Sequence, residues 1–269
     1  MTRIYVPILE YHDLCEQKNK ETDFHSPYVM QVSKFYEQIE WLYQNRYSSI
    51  TLDDLLKENI PEKSFVLTFD DGNISNYEFA FPILKKFNFV GTFFIIPTLI
   101  DKKNYITRKQ IHEMDEKGMK FESHSLTHPY ILSLSRQKIT REVHQSKEKI
   151  QKILNREINH FSVPYGFYNK YLIQCVKEAG YKTLVTEDFG YYKPNNHSFQ
   201  ILPRFTVKSQ MNLNTFTNIV QKKKIKLLSD YSTAILIQTF KRILGYRNYI
   251  YLKSLILKTV ASQINEEHR

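Results

Sequence analysis

Ser64-Phe65-Val66-Leu67-Thr68-Phe69-Asp70-Asp71-Gly72 decides how the rest of the chain reads. It opens as a short apolar run, the pattern of a buried strand in a parallel sheet. It closes on two consecutive carboxylates and a glycine. Carboxylates are seldom buried unless they are paired or hold a metal. Neighbouring strand residues point to opposite faces, so Asp70 and Asp71 share one site only if the strand ends there and the backbone turns. Gly72 offers that turn. Taken alone, Asp-Asp-Gly is also what a solvated strand-to-loop turn looks like. The residues around it choose between the two.

Working outward, apolar runs alternate with segments of helical period. Residues 4–11 read as a first strand. Residues 27–46 read as a helix in which Phe35, Ile39, Trp41, Leu42 and Tyr43 recur at helical spacing, with Ser33 as its N-cap. A short strand over 47–52 leads to a helix capped by Thr51. After the Asp70 strand come a helix over 77–87, with Pro82 near its start, and an apolar strand over 89–96. Helices over 108–117, 135–154 and 169–179 then alternate with strands over 119–123, 159–163, 181–185 and 201–207. This alternation predicts an α/β fold with parallel strands. In such folds chemistry gathers at the C-terminal strand ends. The reactive residues fall there: Tyr11-His12, Asp70-Asp71, His124 to His128, Pro164-Tyr165-Gly166 and Pro203-Arg204.

The 269 residues suffice for a full core, and 42% hydrophobic with 14% aromatic content excludes a disordered chain. Two cysteines, Cys15 and Cys175, make neither a disulfide framework nor a cysteine metal site. The first residues lack the pattern of a secretory signal, since Pro7 and Glu10 interrupt the apolar stretch. No run approaches the length of a spanning helix. These features predict a cytoplasmic protein. The net charge is +10, and residues 211–269 hold ten basic against three acidic residues, so the excess lies mostly in this stretch. That segment, not the main domain over 1–210, is the candidate for an anionic partner.

His124 and His128 are separated by three residues, which places both imidazoles on one side of a helical turn or compact loop. With a strand-end carboxylate they complete a His/His/Asp set. Three protein ligands with positions left open is the catalytic form of a zinc-like site. The nitrogen and oxygen donors make Zn²⁺ the first expectation, with Co²⁺, Ni²⁺ or Fe²⁺ as alternatives. Such an ion acidifies water and polarises a carbonyl, and the second carboxylate can act as base. That chemistry suits hydrolysis of an amide or ester.

Thr68-Phe69-Asp70-Asp71-Gly72, His124-Ser125-Leu126-Thr127-His128-Pro129 and Phe161-Ser162-Val163-Pro164-Tyr165-Gly166 resemble the first three motifs of the NodB-type polysaccharide deacetylases, carbohydrate esterase family 4. The likeness runs in order from about residue 6 to about residue 207 and includes Glu178-Ala179-Gly180-Tyr181. It implies a distorted (β/α) barrel and metal-dependent removal of acetyl groups from N-acetylated amino sugars of a polysaccharide, oligosaccharide or lipid-linked glycan. By the same resemblance Asp70 is the general base, and Asp71, His124 and His128 hold the metal. The backbone N–H of Tyr165 would help bind the oxyanion. Pro164 and Tyr165 are expected to line the substrate pocket, as is Asn73, which directly follows the Asp-Asp-Gly turn.

Two departures stand out. Many members of the family carry an arginine before the Pro-Tyr motif to orient the base, where this chain has Ser162 and Val163. Arg204 can supply that guanidinium from another strand, or is a surface arginine on an edge. The late histidine that protonates the leaving amine is also absent from residues 202–207. His12, in Leu9-Glu10-Tyr11-His12-Asp13, is the candidate acid, as in the subgroup of biofilm poly-N-acetylglucosamine deacetylases; otherwise it is a structural histidine at a strand end. Residues 211–269 lie beyond the resemblance and read as a basic helical extension. It either docks on an anionic membrane at the inner face or packs on the barrel. Within the enzyme class, a deformylase or O-acetyl esterase of a lipid-linked sugar would use the same residues. A catalytically lapsed carbohydrate-binding module is the reading from another class. No nucleic-acid motif accompanies the basic charge, so no nucleic-acid partner is expected.

Overall fold

A computed structural model describes residues 5–16, 26–195 and 197–223. Of the extension predicted over 211–269, residues 211–223 are described, and the remainder, with the predicted membrane contact, lies outside the described residues. In chain order the elements are β1 (Ile8–Tyr11), β2 (Asp13–Cys15), β3 (Val29–Gln31), α1 (Val32–Gln44), β4 (Ser48–Ser49), α2 (Leu52–Leu55) and β5 (Ser64–Phe69). A π-helical turn, Asn76–Ala80, runs into α3 (Phe81–Lys86), followed by β6 (Thr92–Ile95), α4 (Arg108–Glu116), β7 (Lys120–Ser123) and α5 (Arg136–Leu154). Then come β8 (His160–Ser162), α6 (Lys170–Glu178), β9 (Thr183–Val185), β10 (Gln200–Leu202), β11 (Phe205–Thr206) and α7 (Leu213–Val220). Among the described residues no helix is long and apolar enough to cross a membrane.

The main sheet has the order β10-β9-β8-β7-β6-β5-β1-β11, with β4 paired to β5, and its pairings are parallel. The strand expected over 201–207 is in fact two strands at opposite ends of this order. Pro203 breaks it, because a proline has no N–H for the ladder. Only Pro203 and Arg204 separate Leu202 on one edge from Phe205 on the other. Three peptide steps span at most about 11 Å. The sheet must therefore curl until its edges nearly meet, which gives the distorted (β/α) barrel.

Each strand face has its own role. Tyr11, Phe69, Phe93 and Phe121 sit in register on four neighbouring strands. Their rings stack in a row at 5.5, 4.7 and 5.5 Å. Phe35 of α1 packs edge-on against Tyr11 and Phe69, so this face takes the helices. On the alternate positions Ile8, Val66, Phe94, Val185 and Leu202 form a core with Leu52 and Leu55 of α2. One step further along the same strand face, the residues become Glu10, Thr68 and Arg204, all buried. The polar site thus stands directly on an apolar plug.

Helix starts follow capping chemistry in most places. Thr51 and Thr107 form capping boxes, and Ser135 and Asn169 accept from the third residue of α5 and α6. The first long helix is an exception: its N-cap is Gln31 with no side-chain bond, and the expected cap, Ser33, lies inside α1. Tertiary pairing of β2 with β3 fixes that start instead. Where β8 begins, Asp53, Glu122 and His160 cluster. Arg156 and Lys182 lie 3.5 Å from Glu122 and Asp53, and Glu122 accepts the backbone N–H groups of Asn159 and His160. These cations and donors already neutralise the carboxylates, so the cluster is a structural anchor for β8.

Candidate active site

The strand carrying Asp70 ends as expected, and the chain turns through two left-handed residues. Asp71 has φ 74° and Gly72 φ 72°. Aspartate tolerates this region better than most side chains. The turn is what lets consecutive carboxylates serve one site. A Cβ on Gly72 would stand 3.1 Å from Ile95 as well as at an unfavourable φ.

His124 and His128 lie in a compact loop, with Ser125 and His128 both left-handed. Ser125 Oγ accepts the His128 N–H at 3.0 Å. Glu142, reaching over from α5, accepts the N–H groups of Leu126 and Thr127 at 2.9 Å each, and the Thr127 hydroxyl at 2.8 Å. His124 Nδ1 is 2.9 Å from the Ser162 carbonyl, which can only accept. The proton is therefore on Nδ1, leaving the Nε2 lone pair for a ligand. Burial holds His124 down, to about 4, so the ring is neutral at ordinary pH.

Asp71, His124 and His128 bring one ligand atom each into a common cluster. Asp71 Oδ1 is 3.5 Å from His124 Nε2 and 3.4 Å from His128 Nε2. It is buried without a hydrogen-bond partner. Tetrahedral ligands about 2.1 Å from a zinc ion stand about 3.4 Å apart. The orphaned oxygen, the spacing and the donor types all fit a divalent cation. A second grouping, Glu10, His12 and Asp70, does not fit one, because a guanidinium already pairs with both of its carboxylates.

That guanidinium belongs to Arg204, which is buried and not on the surface. Its Nη1 and Nη2 donate to the two oxygens of Asp70 at 2.7 and 2.8 Å. Ser162 Oγ donates to Asp70 Oδ2 at 3.0 Å and accepts from Arg204 Nη2. Nη1 also reaches Thr68, and Nε donates to the Thr186 carbonyl. Burial, the largest influence, raises the Asp70 pKa, but the charge and hydrogen bonds of Arg204 together with His124 and His12 hold the group well below the usual carboxylate range. Asp70 is thus a fixed, ionised carboxylate, 3.7 Å from His124.

His12 is half-buried at the end of β1. Asn76 of the π-helical turn holds its carbonyl at 2.8 Å, and its ring lies 4.7 Å from that of Tyr28. Tyr165, with φ 62°, is 44% exposed, and its ring is 4.9 Å from His128. Pro164 beneath it is buried. Gly166 permits the turn, since a Cβ there would fall 2.6 Å from Glu187. Asn73 forms a backbone bridge with Tyr105 at the rim. The structure therefore gathers Asp70, Asp71, His124, His128 and Arg204 closely, places His12 beside Asp70, and sets Tyr165 and Asn73 around them. Sequence reasoning assigned no role to Glu10, Asn76, Glu142 or the Ser162 hydroxyl. Only Glu10 left a trace, as a charge interrupting an apolar strand.

Fold and site together define a parallel-barrel protein with a two-histidine, one-aspartate cluster that could hold a metal, beside a clamped carboxylate. The polysaccharide deacetylase family matches residues 57–184. YxkH of Bacillus subtilis, named with the polysaccharide deacetylases, is 30% identical over 190 residues, covering 69% of this chain and 65% of that protein. A Staphylococcus aureus poly-beta-1,6-N-acetyl-D-glucosamine N-deacetylase is 28% identical over 200 residues, 67% of this chain and 68% of its own length. The structure of the Streptococcus pyogenes deacetylase PplD with acetate superposes with a TM-score of 0.75 at 28% identity, covering 81% of this chain and 99% of that one. The chain carries a polysaccharide deacetylase domain, of the NodB or carbohydrate esterase 4 group. It spans about two thirds of the length of the named sequence relatives.

Removing the clamp leaves Asp70 as an unpaired buried charge. Arg204→Met should lower unfolding free energy by about 3–5 kcal/mol in urea titrations at neutral pH. A loss below about 1 kcal/mol would mean that the pair is not closed in solution.

Proposed function

We propose that this chain is a metal-dependent N-deacetylase of N-acetylated amino sugars in a polysaccharide, oligosaccharide or lipid-linked glycan. The observation that carries the reading is the adjacency of two differently held carboxylates: Asp70 locked on Arg204 and Asp71 facing His124 and His128. Bound by Asp71, His124 and His128, a divalent cation, with zinc the first candidate, supplies Lewis-acid chemistry that polarises a carbonyl and acidifies water. Asp70, kept ionised and aimed by Arg204 and Ser162, takes the proton of the attacking water. The Tyr165 N–H donates to the developing oxyanion. His12 gives a proton to the leaving amine nitrogen. The exposed ring of Tyr165 and the neighbouring rings of Tyr130 and Phe167 give a sugar an apolar wall to lie against. The S. aureus relative is named for the same reaction on poly-N-acetylglucosamine, and PplD was captured with acetate, the product of such a reaction.

Zinc-reconstituted protein should release acetate from N-acetylglucosamine oligomers. Asp70→Asn should retain bound zinc and lose about 10²–10⁴ in kcat, while His128→Ala should lose the zinc as well. Zinc binding without acetate release, but with formate release from N-formyl analogues, would move the reading to a deformylase. Neither release, in protein that holds zinc, would favour a lapsed sugar-binding module.

The basic residues 211–269 lead us to propose, in addition, contact with an anionic membrane surface. The full chain should float with phosphatidylglycerol vesicles at low salt and stay behind with phosphatidylcholine vesicles. Flotation with neither would remove this contact.

A further inference from the structure

One buried ionisable group at the site has no task in the reaction above. Glu10, on β1, is fully buried. Its Oε2 accepts the Thr206 hydroxyl at 3.0 Å and lies 3.5 Å from Arg204 Nε. Its Oε1 is buried with no hydrogen-bond partner. The nearest cationic nitrogen recorded for that oxygen is His12 Nε2, at 3.6 Å. A carboxylate with one oxygen anchored and the other left for an imidazole is built like the orienting member of a catalytic triad. At 3.6 Å the pair is an ion-pair contact, longer than a hydrogen bond, and catalytic pairs commonly tighten only when substrate is bound.

We propose that Glu10 is a positioning residue for His12: its Oε1 fixes the imidazole and stabilises the protonated ring, while Thr206 and Arg204 hold its Oε2. The inference rests on the reading of His12 as the acid of the reaction. His12 Nδ1, also without a partner, is then the nitrogen left to face the leaving amine. The electrostatics agree with the geometry. Burial, against the pull of Arg204, pushes Glu10 up to about 7. Burial also lowers His12, but Glu10 first, then Asp71, Asp70 and Glu187, raise it above its ordinary value. Each group's charge thus favours the charged form of the other. A competing role, a mere counter-ion to Arg204, would affect stability and leave His12 untouched.

The test compares wild type, Glu10→Gln and Glu10→Asp as full chains. In metal-free, histidine-labelled protein, with His12→Gln to assign the resonance, the His12 imidazole should titrate at lower pH in Glu10→Gln than in wild type. Glu10→Asp should restore part of the shift. With zinc and N-acetylglucosamine oligomers, Glu10→Gln should lose about 10²-fold in kcat with little change in KM. Its activity should also fail at lower pH on the alkaline side, because an imidazolium without its carboxylate gives up its proton sooner. If Glu10→Gln does not fold, Thr206→Val, which frees the anchored oxygen, should show a smaller shift in the same direction. An unmoved His12 titration with only a lower Tm would overturn the inference. A wild type that releases no acetate would instead overturn the deacetylase reading, and the titration would still judge the pair.

Discussion

Arg204 is buried in full and gives both terminal nitrogens of its guanidinium to Asp70. Much of the site depends on this one contact. Arg204 lies in the two-residue passage from β10 to β11, so the segment that brings the sheet edges together also delivers the cation. From there it touches Thr68, Ser162, Thr186 and Glu10, which come from four different segments of the barrel wall. Such a pair is a poor device for stability alone. Two buried ions lose more hydration than their attraction reliably returns, and apolar replacements of similar volume are often neutral or stabilising. Its physical effect is to keep one carboxylate ionised, desolvated and fixed in direction, conditions that an acid–base group needs and a core residue does not.

The second constraint is the left-handed turn at Asp71 and Gly72. On a straight strand Asp71 would point among the helices, away from Asp70. The turn brings it back toward His124 and His128. Two chemically identical side chains then fall in opposite environments. Asp70 has every oxygen satisfied by Arg204 and Ser162, whereas Asp71 keeps a buried oxygen with no hydrogen bond. That difference suits Asp70 to the proposed part of base and Asp71 to that of metal ligand. Glu142 and the Ser162 carbonyl extend the same division by holding the histidine loop and the His124 tautomer from behind.

Much of this was legible in the sequence because it is local. The apolar run ending in Asp-Asp-Gly, the His124/His128 spacing and the capping residues of α2, α4, α5 and α6 each announce themselves within a few residues. What stayed hidden depends on contacts far apart in the chain. Leu202-Pro203-Arg204-Phe205 reads as one strand interrupted by a charge. Nothing in it reveals that its two halves pair with β9 and β1; that its arginine meets Asp70 was open only through the family resemblance, as one of two readings. Glu10 reads as a break in an apolar segment, because its meaning comes from Thr206 and Arg204 nearly two hundred residues later. Ser33 is a good N-cap by type, yet the β2–β3 pairing starts α1 two residues earlier.

The central claim is that the two adjacent carboxylates do different work: one belongs to the cation and the other to the arginine. The most direct measurement is anomalous diffraction at the zinc edge from crystals of zinc-reconstituted protein. The account predicts one strong peak bound by Asp71, His124 and His128, with both oxygens of Asp70 still on Arg204. A peak on Glu10, His12 and Asp70, or an Asp70 swung away from Arg204, would contradict it.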